Sequence, residues 1–252
     1  MSSETKTTLM GCGTSILGQL GQVGDSPAPT PIAAKGVVHI DASGWTSFLI
    51  HDNGQASFLG CNKDGQIPHA QTAIINTPIS PSPIKKVPKD SICCADYFTA
   101  VLNQEGSLSI FGKFNLPDQL KDKKFSSIFA KFNWLAGITK ENELYCIFNE
   151  LDSEGKQQFS TYSKITLVNS EITPTNIATI TSFSESQIAI LTDAGSLYVF
   201  SKSQSNNEKT IELQSKFPDF KIVSVASTRS KAIILISDGR IYEVVNTSLV
   251  LV

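Results

Sequence analysis

The residue types that usually carry chemistry are sparse in this chain. There are three histidines, His39, His51 and His69, and five cysteines, Cys12, Cys61, Cys93, Cys94 and Cys146. No two cysteines stand in a C-x-x-C pair, and no histidine has partners at the spacing of a metal site or a nucleophile triad. Cys93 and Cys94 are neighbours in a β-like run, so their side chains point to opposite faces and do not chelate one ion. His39 sits in an inner apolar run, where a core or channel role is expected. No phosphate-cradling G-x-x-x-x-G-K-[S/T] loop occurs, and Gly11-Cys12-Gly13 is too short to suggest a nucleotide. The expectation is therefore no catalytic, cofactor-binding or metal residue and no cofactor. An odd set of cysteines without a ligand pattern reads as structural thiols in a reducing compartment, the cytoplasm or nucleus.

Aromatic residues offer more. Trp45 and Tyr97 stand 52 residues apart at equivalent places, each between one β-run and the next, and Trp134 lies one step from the matching place further on. Equivalent turns of stacked units gather on one face, so these three are expected to form an exposed arc that binds a protein partner. The competing reading is that they cap gaps between units.

That equivalence comes from a repeat. An apolar run, a turn rich in Gly and Asn, and a second apolar run recur with turn residues Gly54, Gly106, Asn142, Gly195 and Gly239, spaced 52, 36, 53 and 44 apart. Gly and Asn accept the positive φ of a tight hairpin. The second arms are Ala56–Leu59, Leu108–Phe111, Leu144–Ile147, Leu197–Phe200 and Ile241–Val245. A further β-like segment precedes each hairpin: Val37–Ile40, Ser91–Cys93, Ser127–Phe129, Ile177–Ile180 and Ile222–Val225. Gln66–Pro88, with five prolines, reads as an exposed loop with one edge strand, and Ser201–Thr210 as a mobile polar link. No sustained helical periodicity appears. The fold class is all-β, made of stacked units.

Composition narrows the function. The chain has 252 residues and a net charge of −2, and only Arg229 and Arg240 of its 21 basic residues are arginines. No general field draws it to nucleic acid or anionic lipid, and bidentate phosphate readout has few candidates. No run is long enough to span a bilayer as a helix. The polar start, Met1–Thr8, lacks the apolar stretch of a secretory signal.

The links between units carry a resemblance. They read Gly11-Cys12-Gly13-Thr14-Ser15-Ile16-Leu17-Gly18-Gln19-Leu20-Gly21, then Gly60-Cys61-Asn62-Lys63-Asp64-Gly65-Gln66-Ile67-Pro68, then more weakly Gly112-Lys113-Phe114-Asn115 with Gln119-Leu120. Cys12 and Cys61 are aligned on the glycine before each. With the hairpins, this pattern resembles the repeat of the regulator of chromosome condensation (RCC1) family, in which W-G-x-N-x-x-G-Q-L-G leads through a G-x-x-H-S segment to a D-G turn. Met10, Leu59, Phe111 and Phe200 stand where the tryptophan would be, and Gly44-Trp45-Thr46-Ser47 where the histidine segment would be.

The resemblance implies an RCC1-like β-propeller, with five recognisable repeats plus a terminal closing hairpin and five to seven blades in all. It also implies that the N- and C-terminal strands pair, Ser248–Val252 against Thr8–Met10. Residues 1–7 are expected to be a disordered N-terminus and 8–252 a single propeller domain. The function implied is a non-enzymatic scaffold that binds a protein partner. The small α-tubulin suppressor type within the family suggests a small zinc-binding electron carrier as that partner, with an accessory role in tRNA wobble-uridine modification and diphthamide synthesis. The alternative is guanine-nucleotide exchange on a small GTPase. Neither reading needs direct nucleic-acid or membrane contact, and both suit a monomer or a member of a hetero-complex.

Overall fold

Five times the chain reverses through the same short hairpin in this computed structural model. Gly54, Gly106, Asn142, Gly195 and Gly239 take φ of 76°, 87°, 61°, 85° and 91°. In the first, the Gly54 N–H donates to the His51 carbonyl at 2.8 Å and the His51 N–H to the Gln55 carbonyl at 2.9 Å; the other four repeat both bonds. A turn closed this way, with its last residue left-handed, matches the right-handed twist of the flanking strands. The structure describes residues 8–80, 91–151, 157–165, 172–184, 187–205, 208–217, 221–227, 232–245 and 248–252; the expected disordered segment 1–7 lies outside them.

Two compact units divide the chain. The first, Met1–Lys124 with Asp152–Gln157, opens with a two-stranded sheet of β1 (Met10–Gly13) and β2 (Ser26–Pro31). A four-stranded sheet follows in chain order: β3 (Val37–Ser43), β4 (Thr46–His51), β5 (Ala56–Cys61) and β6 (Ile74–Ile79). A three-stranded sheet then holds β7 (Ile92–Cys94), β8 (Phe98–Leu102) and β9 (Leu108–Gly112). Phe48, Ile50, Ala56 and Phe58 of one sheet bury themselves with Ile92, Cys94 and Val101 of the next, joined by Ile67 and Ile75.

The second unit, Phe125–Leu151 with Gln158–Val252, holds three four-stranded sheets. They are β10 (Phe125–Lys131) to β13 (Gln157–Ile165) through β11 (Trp134–Thr139) and β12 (Leu144–Leu151); β14 (Ile177–Ser184) to β17 (Glu208–Phe217) through β15 (Gln187–Thr192) and β16 (Leu197–Ser205); and β18 (Ile222–Ser227) to β21 (Ser248–Leu251) through β19 (Ala232–Ile236) and β20 (Ile241–Val245). Trp134, Ala136, Ile138 and Cys146 meet Ile188, Ile190 and Tyr198 in one core. Ala189, Leu191, Leu197 and Val199 meet Ile234, Ile236 and Tyr242 in another. Alternate residues of one strand thus serve two neighbouring sheets, and β15 is buried on both faces.

Every sheet is antiparallel and meandering, so the fold is all-β and blade-built, with five blades of three or four strands. Two sequence expectations need correction. The expected pairing of the two terminal strands is not among the described strand pairs: β1 takes β2 as partner and β21 takes β20, with Val245 opposite Ser248. Two residues separate those partners, and closing so short a link costs far less entropy than joining ends of the whole chain. Of the link expected to be mobile, Ser201–Thr210, the described residues belong to β16 and β17, paired from Ser201 with Glu212 to Ser205 with Glu208.

Candidate partner-binding site

The connection from the first to the second strand of a blade is built alike in three places. Gly44-Trp45 links β3 to β4, Asp96-Tyr97 ends the link from β7 to β8, and Phe132-Asn133 links β10 to β11. In each, the last link residue accepts a backbone hydrogen bond from the third strand: Cys61 N–H to the Trp45 carbonyl at 2.8 Å, Lys113 N–H to Tyr97 at 2.9 Å, and Asn149 N–H to Asn133 at 2.8 Å. The shared bond fixes the register. Trp45 matches Tyr97 and Asn133, whereas Trp134 matches Thr46 and Phe98.

Trp134 therefore does not belong to the expected arc. It is 1% exposed and sits in the core with Ala136 and Phe148, whereas Trp45 is 41% exposed. One residue of register reverses the face on which a strand side chain lies, which is why the shifted tryptophan is buried. Thr46 and Phe98, its equivalents, are buried as well.

Trp45 and Tyr97 remain, and the first unit holds their turns close together. A Cβ at Gly44 would come within 2.5 Å of the Asp96 Oδ1 and 3.0 Å of the Asp96 Cα, so the two links meet without side-chain space between them. Behind them lies rigid support. Gly60 takes φ of 106°, and a Cβ there would lie 2.1 Å from the Trp45 carbonyl oxygen. Phe98, next to Tyr97 in the chain, is buried with its ring 4.1 Å from that of the buried Phe114. Tyr97 is itself half-buried.

Charge borders the aromatic pair. The Lys113 ammonium meets the Asp64 carboxylate at 2.6 Å. The hydrogen bond to Asp64, and then its charge, raise the Lys113 pKa above the ordinary lysine value, with a smaller push from Tyr97. The ammonium stays charged across the physiological range, and its proton-linked stabilisation is lost only as pH rises through that raised value.

The loop carrying Asp64 recurs, and sequence reading placed it two residues out of step. Gly13 and Gly60 share a φ of 106°. Gln19 Oε1 accepts from the Leu17 N–H at 3.1 Å as Gln66 Oε1 does from Asp64 at 2.9 Å. Ser15 Oγ accepts from Leu20 at 3.0 Å where Asn62 Oδ1 accepts from Ile67 at 2.8 Å. Gly13, not Gly11, is thus the counterpart of Gly60, and Cys61 aligns with Thr14 rather than Cys12. Counting back six residues from each glutamine gives that alignment directly.

Several of the histidines and cysteines noted in the sequence are hydrogen-bonded or packed. The His51 Nδ1–H donates to the Lys35 carbonyl at 2.7 Å, which leaves Nε2, 2.7 Å from the Ser57 Oγ, to accept from that hydroxyl. His39 is half-buried on β3, 6.1 Å from the Phe48 ring centre. Burial raises the thiol pKa values of Cys93, Cys94 and Cys146, and for the first two the nearby Asp41 carboxylate adds to the effect. Among the described residues no three His, Cys, Asp or Glu side chains converge as a metal site would require.

Antiparallel meanders repeated blade after blade are the architecture of a β-propeller. Among solved structures, the chain is similar to yeast RCC1 (Prp20) with Kap60 bound, at a TM-score of 0.69 and 15% identity, covering 95% of this chain and 66% of that one. It is similar to Prp20p from Saccharomyces cerevisiae, studied with its binding to Gsp1p and histones, at 0.65 and 14%, covering 95% and 68%. It also resembles human WBSCR16 at 0.61 and 12%, covering 93% and 70%. The chain thus spans about two thirds of the length of these relatives in fold. No protein-family profile and no curated protein sequence matches it.

Proposed function

We propose that this protein is a non-enzymatic interaction scaffold that grips a protein partner through the turns carrying Trp45 and Tyr97. The observation that carries the reading is a large exposed indole on a turn whose backbone cannot shift. Trp45 projects from a link locked by the Cys61 N–H behind it and by the close approach of Gly44 to Asp96. Rigid aromatic anchors lose little entropy on binding and dominate interface energetics. The Lys113–Asp64 pair supplies a polar rim. The Prp20 structures support a binding role by fold, since those proteins hold Kap60, Gsp1p and histones.

The finer assignment follows the family resemblance. The partner is a small zinc-binding electron carrier, and the scaffold assists tRNA wobble-uridine modification and diphthamide synthesis. Nucleotide exchange on a small GTPase is the alternative. Affinity capture of the tagged full chain from native cells separates them: the zinc protein supports the first and a nucleotide-free GTPase the second. The Trp45→Ala/Tyr97→Ala chain should lose the captured partner while unfolding at the same denaturant midpoint. Capture that survives the double substitution overturns the assignment of this surface.

A further inference from the structure

Five hairpins of one shape carry different residue pairs at their tips. Asn53-Gly54 joins β4 to β5, Glu105-Gly106 joins β8 to β9, and Glu141-Asn142 joins β11 to β12. Ala194-Gly195 and Asp238-Gly239 do the same for β15–β16 and β19–β20. In each, the second residue of the pair has a positive φ and its N–H donates to the carbonyl three residues back. With the backbone held constant, the tips differ in their side-chain chemistry. Asn53-Gly54 is the one Asn-Gly pair in the whole sequence.

That pair holds an electrophile and a nucleophile one bond apart in the chain. The side-chain carbonyl carbon of an asparagine lies within reach of the next peptide nitrogen through a five-membered ring. Glycine leaves that nitrogen unshielded, because no Cβ stands beside it. Glu105 and Glu141 are one carbon too long for the same ring, and Ala194 has no side-chain carbonyl.

The folded turn orients the groups. Asn53 is exposed, and its Oδ1 accepts from the Gln55 N–H at 2.9 Å while its Nδ2 donates to the Gln55 Oε1 at 3.0 Å. The first bond folds the side chain back around the Asn53–Gly54 peptide and draws electron density from Cγ. One contact works against reaction: the Gly54 N–H is engaged by the His51 carbonyl at 2.8 Å and must be released before the nitrogen can attack. The last turn repeats the side-chain bond, from the Arg240 N–H to the Asp238 Oδ1 at 3.0 Å, but adds the Arg240 guanidinium on Oδ2 at 2.8 and 2.7 Å. The guanidinium hydrogen bond, and then the backbone one, hold the Asp238 carboxyl below the usual carboxylate range. It stays an anion, which is a poor electrophile.

We propose that Asn53 is a site of spontaneous covalent modification, converted to aspartate and isoaspartate through attack by the Gly54 nitrogen. The new bond joins that nitrogen to Asn53 Cγ. The Cγ–Nδ2 bond breaks, and Nδ2 leaves as ammonia with the proton from the Gly54 amide. Water then opens the cyclic imide. Entry at Cγ restores the ordinary backbone as aspartate. Entry at the main-chain carbonyl carbon gives isoaspartate, with Cβ and Cγ now part of the main chain.

Isoaspartate changes this hairpin. The added main-chain atom falls inside the loops closed by the Gly54–His51 bond and by the 2.9 Å bond from the His51 N–H to the Gln55 carbonyl. The new carboxylate stands beside Asp52, whose own carboxylate is packed so close that a Cβ at Gly36 would lie 2.8 Å from its Oδ1. Ile50 and Ala56, buried at the base of the hairpin, are the core residues nearest the change. Trp45 lies at the opposite end of β4, so this site stands whether or not the partner reading holds.

The test is incubation of the full chain in mildly alkaline buffer, followed by peptide mapping. Isoaspartate is then detected by methyl transfer from S-adenosylmethionine, using a protein carboxyl methyltransferase selective for it. The peptide holding Asn53-Gly54 should gain the mass that separates a carboxyl from a carboxamide. Its rate should be about one fifth of that of a free peptide of residues 50–57, as expected for releasing one turn hydrogen bond. In the purified isoaspartyl chain the Gly54 and Gln55 amides should exchange faster than in the parent. Methyl incorporation should vanish in Asn53→Ser, whose hydroxyl can still accept from Gln55, and Asp238 should stay unconverted. No conversion in the full chain overturns the proposal. So does aspartate without isoaspartate, which would mean direct hydrolysis rather than attack by Gly54. Methylation that survives Asn53→Ser also overturns it, by placing the reactive residue elsewhere.

Discussion

Two tryptophans, one residue apart in register, have opposite fates. Trp45 ends the link before β4 and stands in solvent; Trp134 begins β11 and is buried among two sheets. Both segments carry the same backbone bond from the third strand, so the difference owes nothing to backbone shape. It comes from the alternation of a pleated strand, which turns a one-step offset into a change from anchor to core.

The largest test of that contrast is Trp134→Ala, which should cost about 3–5 kcal/mol in denaturant unfolding, as expected for emptying a large buried aromatic site. Trp45→Ala should stay within about 0.5 kcal/mol of the parent while weakening partner capture. Next is Gly60→Ala. Its Cβ would strike the Trp45 carbonyl in a backbone conformation that L-residues avoid, and a loss of about 3 kcal/mol is expected by the same measurement. If the turn instead yields at little cost, the anchor is not rigid and the comparison loses its basis.

Asn62→Ala should cost about 2 kcal/mol, because its amide donates to the Ala70 and Thr72 carbonyls and accepts from Ile67. Ser15→Ala, in the matching loop, should cost about half of that.

Alkaline titration gives a gentler slope. Buried thiols keep their protons in the folded chain but ionise near the ordinary value of 9.0 once unfolded. Above that pH the unfolded state binds fewer protons, so stability should fall by up to about 1.4 kcal/mol per unit for each of Cys93, Cys94 and Cys146. Cys146→Ala or Cys146→Ser should make the alkaline decline shallower by one thiol's share. The smallest effect is spectroscopic. Trp45→Phe should leave blue-shifted emission shielded from acrylamide, and Trp134→Phe red-shifted emission open to it.

Much of the fold is legible in local residues. Gly54, Gly106, Asn142, Gly195 and Gly239 mark the hairpins because few residues tolerate positive φ, and each flanking apolar run proves to be a strand. The site was only partly legible. Trp45 and Tyr97 are identified by their distance from the turns, but Trp134 needed the Asn149–Asn133 bond to show its register. Gly11 and Gly13 look alike when only their neighbours are compared; the glutamine and serine bonds distinguish them, as does the six-residue distance to each glutamine. The polar alternation of Lys209-Thr210-Ile211-Glu212 hid a strand whose pairing with β16 reveals it.

Local stereochemistry, then, was written in the chain itself: where it turns, which runs extend, and that blades recur. Which strand edge finds a partner was decided only in three dimensions. Pairing depends on which segments arrive side by side: β21 took the nearby β20, and β1 took β2 across a twelve-residue loop.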